Sequence, residues 1–208
     1  MGGFRYTVRE NILSISVLVG AVVVVTTVAI LLAAYGVLRH ASITVVDASL
    51  TKFSLATASA TTLAYDLSLA LEVRNPNWAM AMTNTEPLEA AYSFHGQQFE
   101  PGVQVSDKGT RYAARTTVHH VVTSSGGTYV ALGNAGVADY EKQKADGTFE
   151  VEVKLTGKVR YTARYTKCKS EATCKLKLQV LEPSGTPAPG VVVFEKVECE
   201  LAKSEKNC

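Results

Sequence analysis

The sequence predicts a mainly β chain: an antiparallel β-sandwich with one short helix, preceded by a single transmembrane helix. Three observations carry this reading. An uncharged run of 27 residues, Ile12 to Leu38, lies near the start. Past it, apolar residues recur at every second position in one segment after another. Each such segment has one polar face, an arrangement that two stacked antiparallel sheets satisfy.

The elements follow in chain order. Residues 1–11 read as a short cytosolic tail and 12–38 as the span. At about 1.5 Å per residue this run reaches roughly 40 Å, more than the ~30 Å hydrocarbon core, and it is too long for the apolar core of a cleaved signal peptide. The large domain is then expected over 42–201, with 202–208 as a C-terminal tail. In "TLAYDLSLALEVR", residues Leu63, Tyr65, Leu67, Leu69, Leu71 and Val73 share one face, opposite Asp66, Ser68, Glu72 and Arg74. The same period runs through "FEVEVKLTGKVRYTARY" at 149–165, where Gly157 reads as a bulge or bend. Shorter strands are expected at 42–55, 89–99, 114–124, 174–180 and 191–201, making seven. A turn is expected at His95-Gly96. Between the strands, Tyr129, Leu132, Val137 and Tyr140 fall near helical spacing and Gly147 suits a helix C-terminus, so one short helix belongs there. "TSSGGT" at 123–128 reads as a flexible connection, and the proline-rich "EPSGTPAPG" at 182–190 as a surface loop.

Charge removes one class of function. Taking the three basic and one acidic residues before Ala41 from totals of 21 and 19 leaves 18 of each sign, so the large domain is formally neutral. With Lys and Glu interleaved along its strands, it carries no electrostatic footprint for nucleic acid. The arginines and lysines flanking the span are balanced and do not set its orientation. All four cysteines, Cys168, Cys174, Cys199 and Cys208, lie beyond the span, which is the usage of a disulfide-permissive compartment. The chain has no Asn-x-Ser/Thr glycosylation acceptor.

The first long strand halts at Asn75-Pro76-Asn77, directly before the only tryptophan, Trp78. Proline cannot donate to a sheet ladder and biases the residue before it away from the helical region, so the strand must end or leave the sheet. The flanking asparagines can bond nearby backbone groups and hold the turn. These residues read as a structural corner, with Trp78 covering the end of the sandwich.

The order of a single span, "LSLALEVRNPN", "YSFHGQQFEPG" and "GTFEVEVKLTGKVRYTARY" resembles the plant NDR/HIN-like (NHL) family. The outer part of that family is a group-2 late embryogenesis abundant (LEA-2) domain, also called the WHy domain. The resemblance covers roughly residues 10–201, and the Asn75-Pro76-Asn77 triplet matches its most recognisable motif. It implies a fibronectin/immunoglobulin-like sandwich on a membrane anchor, placed at the plasma membrane with the sandwich outside. It also implies a role in pathogen, cell-death and water-stress responses without enzyme activity.

The residues themselves offer little to catalysis. His119 and His120 are neighbours on an expected strand, so they point to opposite faces and cannot share an ion; one should be solvated and the other packed. His95 sits in a turn and His40 at the membrane edge. No Gly-x-Ser-x-Gly elbow or His-Glu-x-x-His helix is present. No catalytic, cofactor-binding or metal residue is therefore assigned. Four cysteines allow three full pairings. Cys168 with Cys174, closing a small hairpin loop, is the favoured one, while Cys199 reads equally well as a buried thiol. Two functions are expected: a membrane-tethered interaction module that engages another protein, wall material or itself, or a protective or lipid-handling domain under dehydration, with lipid then among its partners.

Overall fold

The computed structural model describes residues 3–36, 38–56, 62–162, 167–180 and 194–202. The chain divides into two compact units, 1–38 and 39–208.

The first unit is helix α1, Gly3–Tyr35. It takes in most of the expected tail and stops three residues short of Leu38. Its segment Ser14–Tyr35, 22 residues, is long and apolar enough to cross a membrane. The hydroxyls of Thr26 and Thr27 donate back to the carbonyls of Val22 (2.9 Å) and Val23 (2.7 Å), which satisfies polar atoms without leaving the helix. Gly36 closes it. A Cβ at that position would stand 2.4 Å from the Leu32 carbonyl oxygen, so only glycine takes this conformation.

The second unit is an antiparallel β-sandwich with one short helix. Its strands are β1 Ser42–Leu55, β2 Thr62–Arg74, β3 Met82–Asn84, β4 Leu88–Phe94, β5 Gln97–Ser106, β6 Arg111–Tyr112, β7 Thr117–Tyr129, β8 Thr148–Tyr161, β9 Lys167–Gln179, β10 Val197–Glu198 and β11 Glu200–Leu201; helix α2, Gly133–Asp146, lies between β7 and β8. One sheet runs β10-β1-β2-β7. The other runs β11-β9-β8-β3-β6, with β4 paired to β8 and β5 to β4.

The period of two explains both centres. In β2 the six odd-numbered apolar residues from Leu63 to Val73 are all buried. In β8, Phe149, Val151, Val153, Leu155, Val159 and Tyr161 are buried while their charged alternates face out. Burying one such leucine is worth about 1.5–3 kcal/mol, so a one-residue slip of either strand would invert the core.

Several expected elements take a different form. The 89–99 segment is not one strand but the hairpin β4–β5, turned at His95 (φ 48°) and Gly96 (φ 73°), the two positive angles of a type I′ turn. "TSSGGT" is not a connection; it continues β7, pairing Ser124 with Leu67 and Gly126 with Tyr65. The Tyr65 ring lies beside Gly126, its hydroxyl 3.5 Å from where a Cβ would stand, an ordinary contact distance. Gly157 makes no bulge, since β8 and β9 stay in register from Thr148 to Arg160. It is a close approach: a Cβ there would meet Leu88 Cδ1 and the Pro87 carbonyl oxygen, each at 3.3 Å. Of the expected 191–201 strand, residues 191–193 lie outside the described residues and the rest form only β10 and β11. The expected loop at 182–190 also lies outside them.

Helix α2 closes one end of the sandwich through Tyr140. Its ring packs against Phe53, Phe94 and Phe149, its hydroxyl donates to the Phe53 carbonyl (3.2 Å), and it accepts from the Leu55 amide (3.1 Å). Gly147 ends the helix with φ 68°, the left-handed conformation that suits glycine.

The Asn75-Pro76-Asn77 corner as candidate functional site

Strand β2 delivers Asn75 to the end of the sheet with its side chain pointing inward, because 75 continues the odd-numbered buried series. Pro76 then turns the chain, and Asn77 also faces in. Asn75 is wholly buried and Asn77 nearly so. The alternation puts Trp78 outside, where it is 56% exposed, so it does not cover the end of the sandwich as expected.

Both amides are spent on local structure. Asn75 Nδ2 donates to the carbonyls of Met80 (2.9 Å), Ala113 (3.1 Å) and Tyr112 (3.2 Å), three acceptors sharing two hydrogens. Asn75 Oδ1 accepts from the Asn77 backbone amide (3.1 Å) and from Asn77 Nδ2 (2.9 Å). Asn77 then treats Arg39 as a strand would treat its neighbour: Oδ1 accepts from the Arg39 amide (2.8 Å) and Nδ2 donates to the Arg39 carbonyl (2.7 Å). The backbone joins in, with Asn75 N–H bonded to Thr116 O (2.9 Å) and Arg115 N–H to Asn77 O (3.1 Å). Arg115 itself adopts φ 58°, a left-handed angle for a non-glycine residue, held by this turn.

The corner therefore fastens three segments: the end of β2, the β6–β7 turn, and Arg39, four residues past the end of α1. With the side-chain amide hydrogens of Asn75 and Asn77 all engaged by protein atoms, neither asparagine offers a ligand a donor. Its chemistry is that of a clamp. Sequence reasoning found Asn75 and Asn77 but missed Arg39, Tyr112 and Ala113, which contribute only backbone atoms and so leave no side-chain signal.

A second polar chain runs beside the first and was also missed. Asn84 Nδ2 donates to Ser106 Oγ (2.8 Å), which lies 3.0 Å from Tyr112 Oη, which in turn lies 3.1 Å from His120 Nε2. Burial, with His119 alongside, lowers the His120 pKa below its ordinary value, and burial raises that of Tyr112. His119 faces solvent on the other side of β7, 3.5 Å from Glu72. One histidine is thus solvated and one packed. His95 contacts Asp139 at 3.3 Å, and His40 is exposed. Among the described residues, no group of three or more His, Cys, Asp or Glu side chains is placed to hold a metal ion.

The expected Cys168–Cys174 bridge is overturned. Both residues lie on one continuous strand, β9, where six extended residues span roughly 20 Å, far beyond the ~7 Å that a disulfide tolerates between Cα atoms. Cys174 instead joins Cys199, between β10 and β11, tying the short C-terminal strands to β9. Cys199 is therefore not a free buried thiol, and Cys168 is bonded in a different disulfide.

No family model matches this chain, and no curated protein matches it. Among solved structures it is similar to one described as "Crystal structure of protein from Archaeoglobus fulgidus", at 11% identity over 70% of this chain and 100% of that one, with a TM-score of 0.28. A likeness at that level carries no argument about function.

Proposed function

We propose that the protein is a non-enzymatic, single-pass membrane protein of stress or defence responses, whose β-sandwich acts as an interaction module on the outer side of the plasma membrane. The observation that carries this reading is the saturation of the corner. The one motif with a distinctive pattern is occupied in holding Arg39 and the β6–β7 turn, so what remains to meet a partner is the outer surface of the sandwich, its loops and sheet edges. The helix of membrane-spanning length, the disulfides and the resemblance to the NHL family with its LEA-2 domain support the placement. The alternative, a protective or lipid-handling domain under dehydration, differs in needing bulk surface rather than one specific face.

Full-length protein reconstituted in vesicles separates the two readings. Drying and rehydrating these vesicles should release an enclosed dye as readily as from vesicles carrying an unrelated single-span protein. Protection that rises in proportion to the amount of protein, and survives substitutions on every sheet edge, would overturn the interaction reading in favour of the protective one.

A further inference from the structure

We propose that β7 is a self-association edge, along which a second copy of this chain adds its own β7 antiparallel to extend the sheet. The proposal rests on the interaction-module reading and names its surface and partner. Strand β7 is an edge of its sheet, paired on one side with β2 through thirteen consecutive residues, Thr62↔Tyr129 to Arg74↔Thr117, with no register shift. Among the described residues no strand pairs with its other side, and β5 of the facing sheet comes close to β7 without pairing, Ser124 Oγ donating to Glu100 (3.3 Å).

Exposed edges of this length are ordinarily blunted by charge, proline or bulges, because a flat edge invites another chain. The other long edges here are blunted. The outer stretch of β1 carries Asp47 and Lys52 and two register shifts. Strand β5 carries Glu100 and Pro101, and its pairing with β4 is interrupted by three shifts. Strand β9 carries Lys167, Lys169, Glu171, Lys175 and Lys177. Strand β7, "TVHHVVTSSGGTY", has no Asp, Glu, Lys, Arg or Pro at all. The carboxylates that approach it, Glu72 beside His119 and Glu100 bonded to Ser124, belong to neighbouring strands.

This composition favours a second copy over a charged peptide. A two-fold pairing sets each residue against its own symmetry mate or a nearby one, so any charge on the strand would oppose a like charge. β7 has none. Centred on Val121, which is 75% exposed, the antiparallel register puts Val121 against Val121, His119 against Thr123 and Thr117 against Ser125. Apolar meets apolar and polar meets polar on the outer face. A helix of membrane-spanning length would confine copies to one surface and raise their effective concentration, so a modest strand-to-strand affinity suffices.

The test uses the full chain in the membrane of the producing cell, with a photo-cross-linking amino acid at Thr123 on β7 or, as control, at Lys175 on β9. The expected result is a reducing-gel product of twice the 22.3 kDa chain mass from position 123 and not from 175. Val121→Lys, which puts two like charges together at the two-fold, should lower its yield by roughly tenfold or more. Ser125→Lys serves as a second variant if far-UV circular dichroism shows that Val121→Lys disturbs the fold. A dimer from position 123 that both variants leave unchanged overturns the β7 register. Adducts from 123 to other proteins only overturn self-pairing while leaving the interaction module standing. Absence of any protein adduct from position 123 overturns self-pairing along β7, while the interaction-module reading stands or falls by the vesicle test.

Discussion

Asn75→Ala is the most informative single perturbation of this fold. The side chain makes two full donor bonds' worth of contact with the carbonyls of Met80, Tyr112 and Ala113, and accepts two more from Asn77. Each net bond contributes about 0.5–1.5 kcal/mol, and stranding a buried partner costs about 1–3 kcal/mol. Some released carbonyls can find water when the corner loosens, so the expected loss is about 3–5 kcal/mol, at the diagnostic end for a point substitution. Asn75→Asp should be no milder, because it removes the donors and sets a carboxylate against three carbonyl oxygens. Urea unfolding of the full chain in detergent measures this directly. Far-UV circular dichroism follows the sheets and Trp78, three residues from the substitution and the only tryptophan, reports the corner. A loss below about 1 kcal/mol in both signals would refute the claim that this residue is a clamp.

Other expectations are simpler to state. Tyr92 Oη is buried with no hydrogen-bond partner, so Tyr92→Phe should raise stability by about 1–2 kcal/mol; a loss of that size would mean the hydroxyl has a partner. Cys199→Ser opens a cross-link with a sequence separation of 25, and loop entropy puts the cost at about 3–4 kcal/mol by thermal or urea unfolding under non-reducing conditions. For His120 the folded pKa lies below the unfolded value of about 6.5, so the unfolded chain binds the extra proton first. Stability conferred by the neutral ring is complete above pH ~6.5 and declines as pH falls toward the folded pKa; His120→Gln should flatten that part of the stability-against-pH curve, and an unchanged slope would assign it elsewhere. The reason is burial of the ring, with His119 alongside, at a position where Nε2 lies 3.1 Å from Tyr112 Oη.

The parts of the fold legible in the sequence were those with an unambiguous period. β2 and β8 announce themselves because one face must be apolar at every second residue, and α2 because Tyr140 and Gly147 mark its buried face and its stop. β7 was cut short because Ser124 to Thr128 are small and polar; their pairing comes from β2 opposite, a non-local cause that composition does not carry. Gly157 was misread for a similar reason: glycine in a strand signals a bulge or a close approach, and only Pro87 and Leu88, some seventy residues earlier, decide between them. The cysteines failed on topology. Cys168 and Cys174 were placed on either side of a turn, but β9 runs straight through both, and the residue that reaches Cys174 arrives from the far end of the chain. At the corner, side-chain identity gave the asparagines, while their backbone partners had no signature to read.

The account stands most directly on where the sandwich resides, and counting thiols tests that. Protein taken from its native membrane, unfolded without reductant and treated with a maleimide, should show no label on Cys168, Cys174 or Cys199, since none of the described cysteines is free. Full labelling of all three, read by peptide mass spectrometry, would contradict both the disulfide framework and the placement of the sandwich on the oxidising side of the membrane.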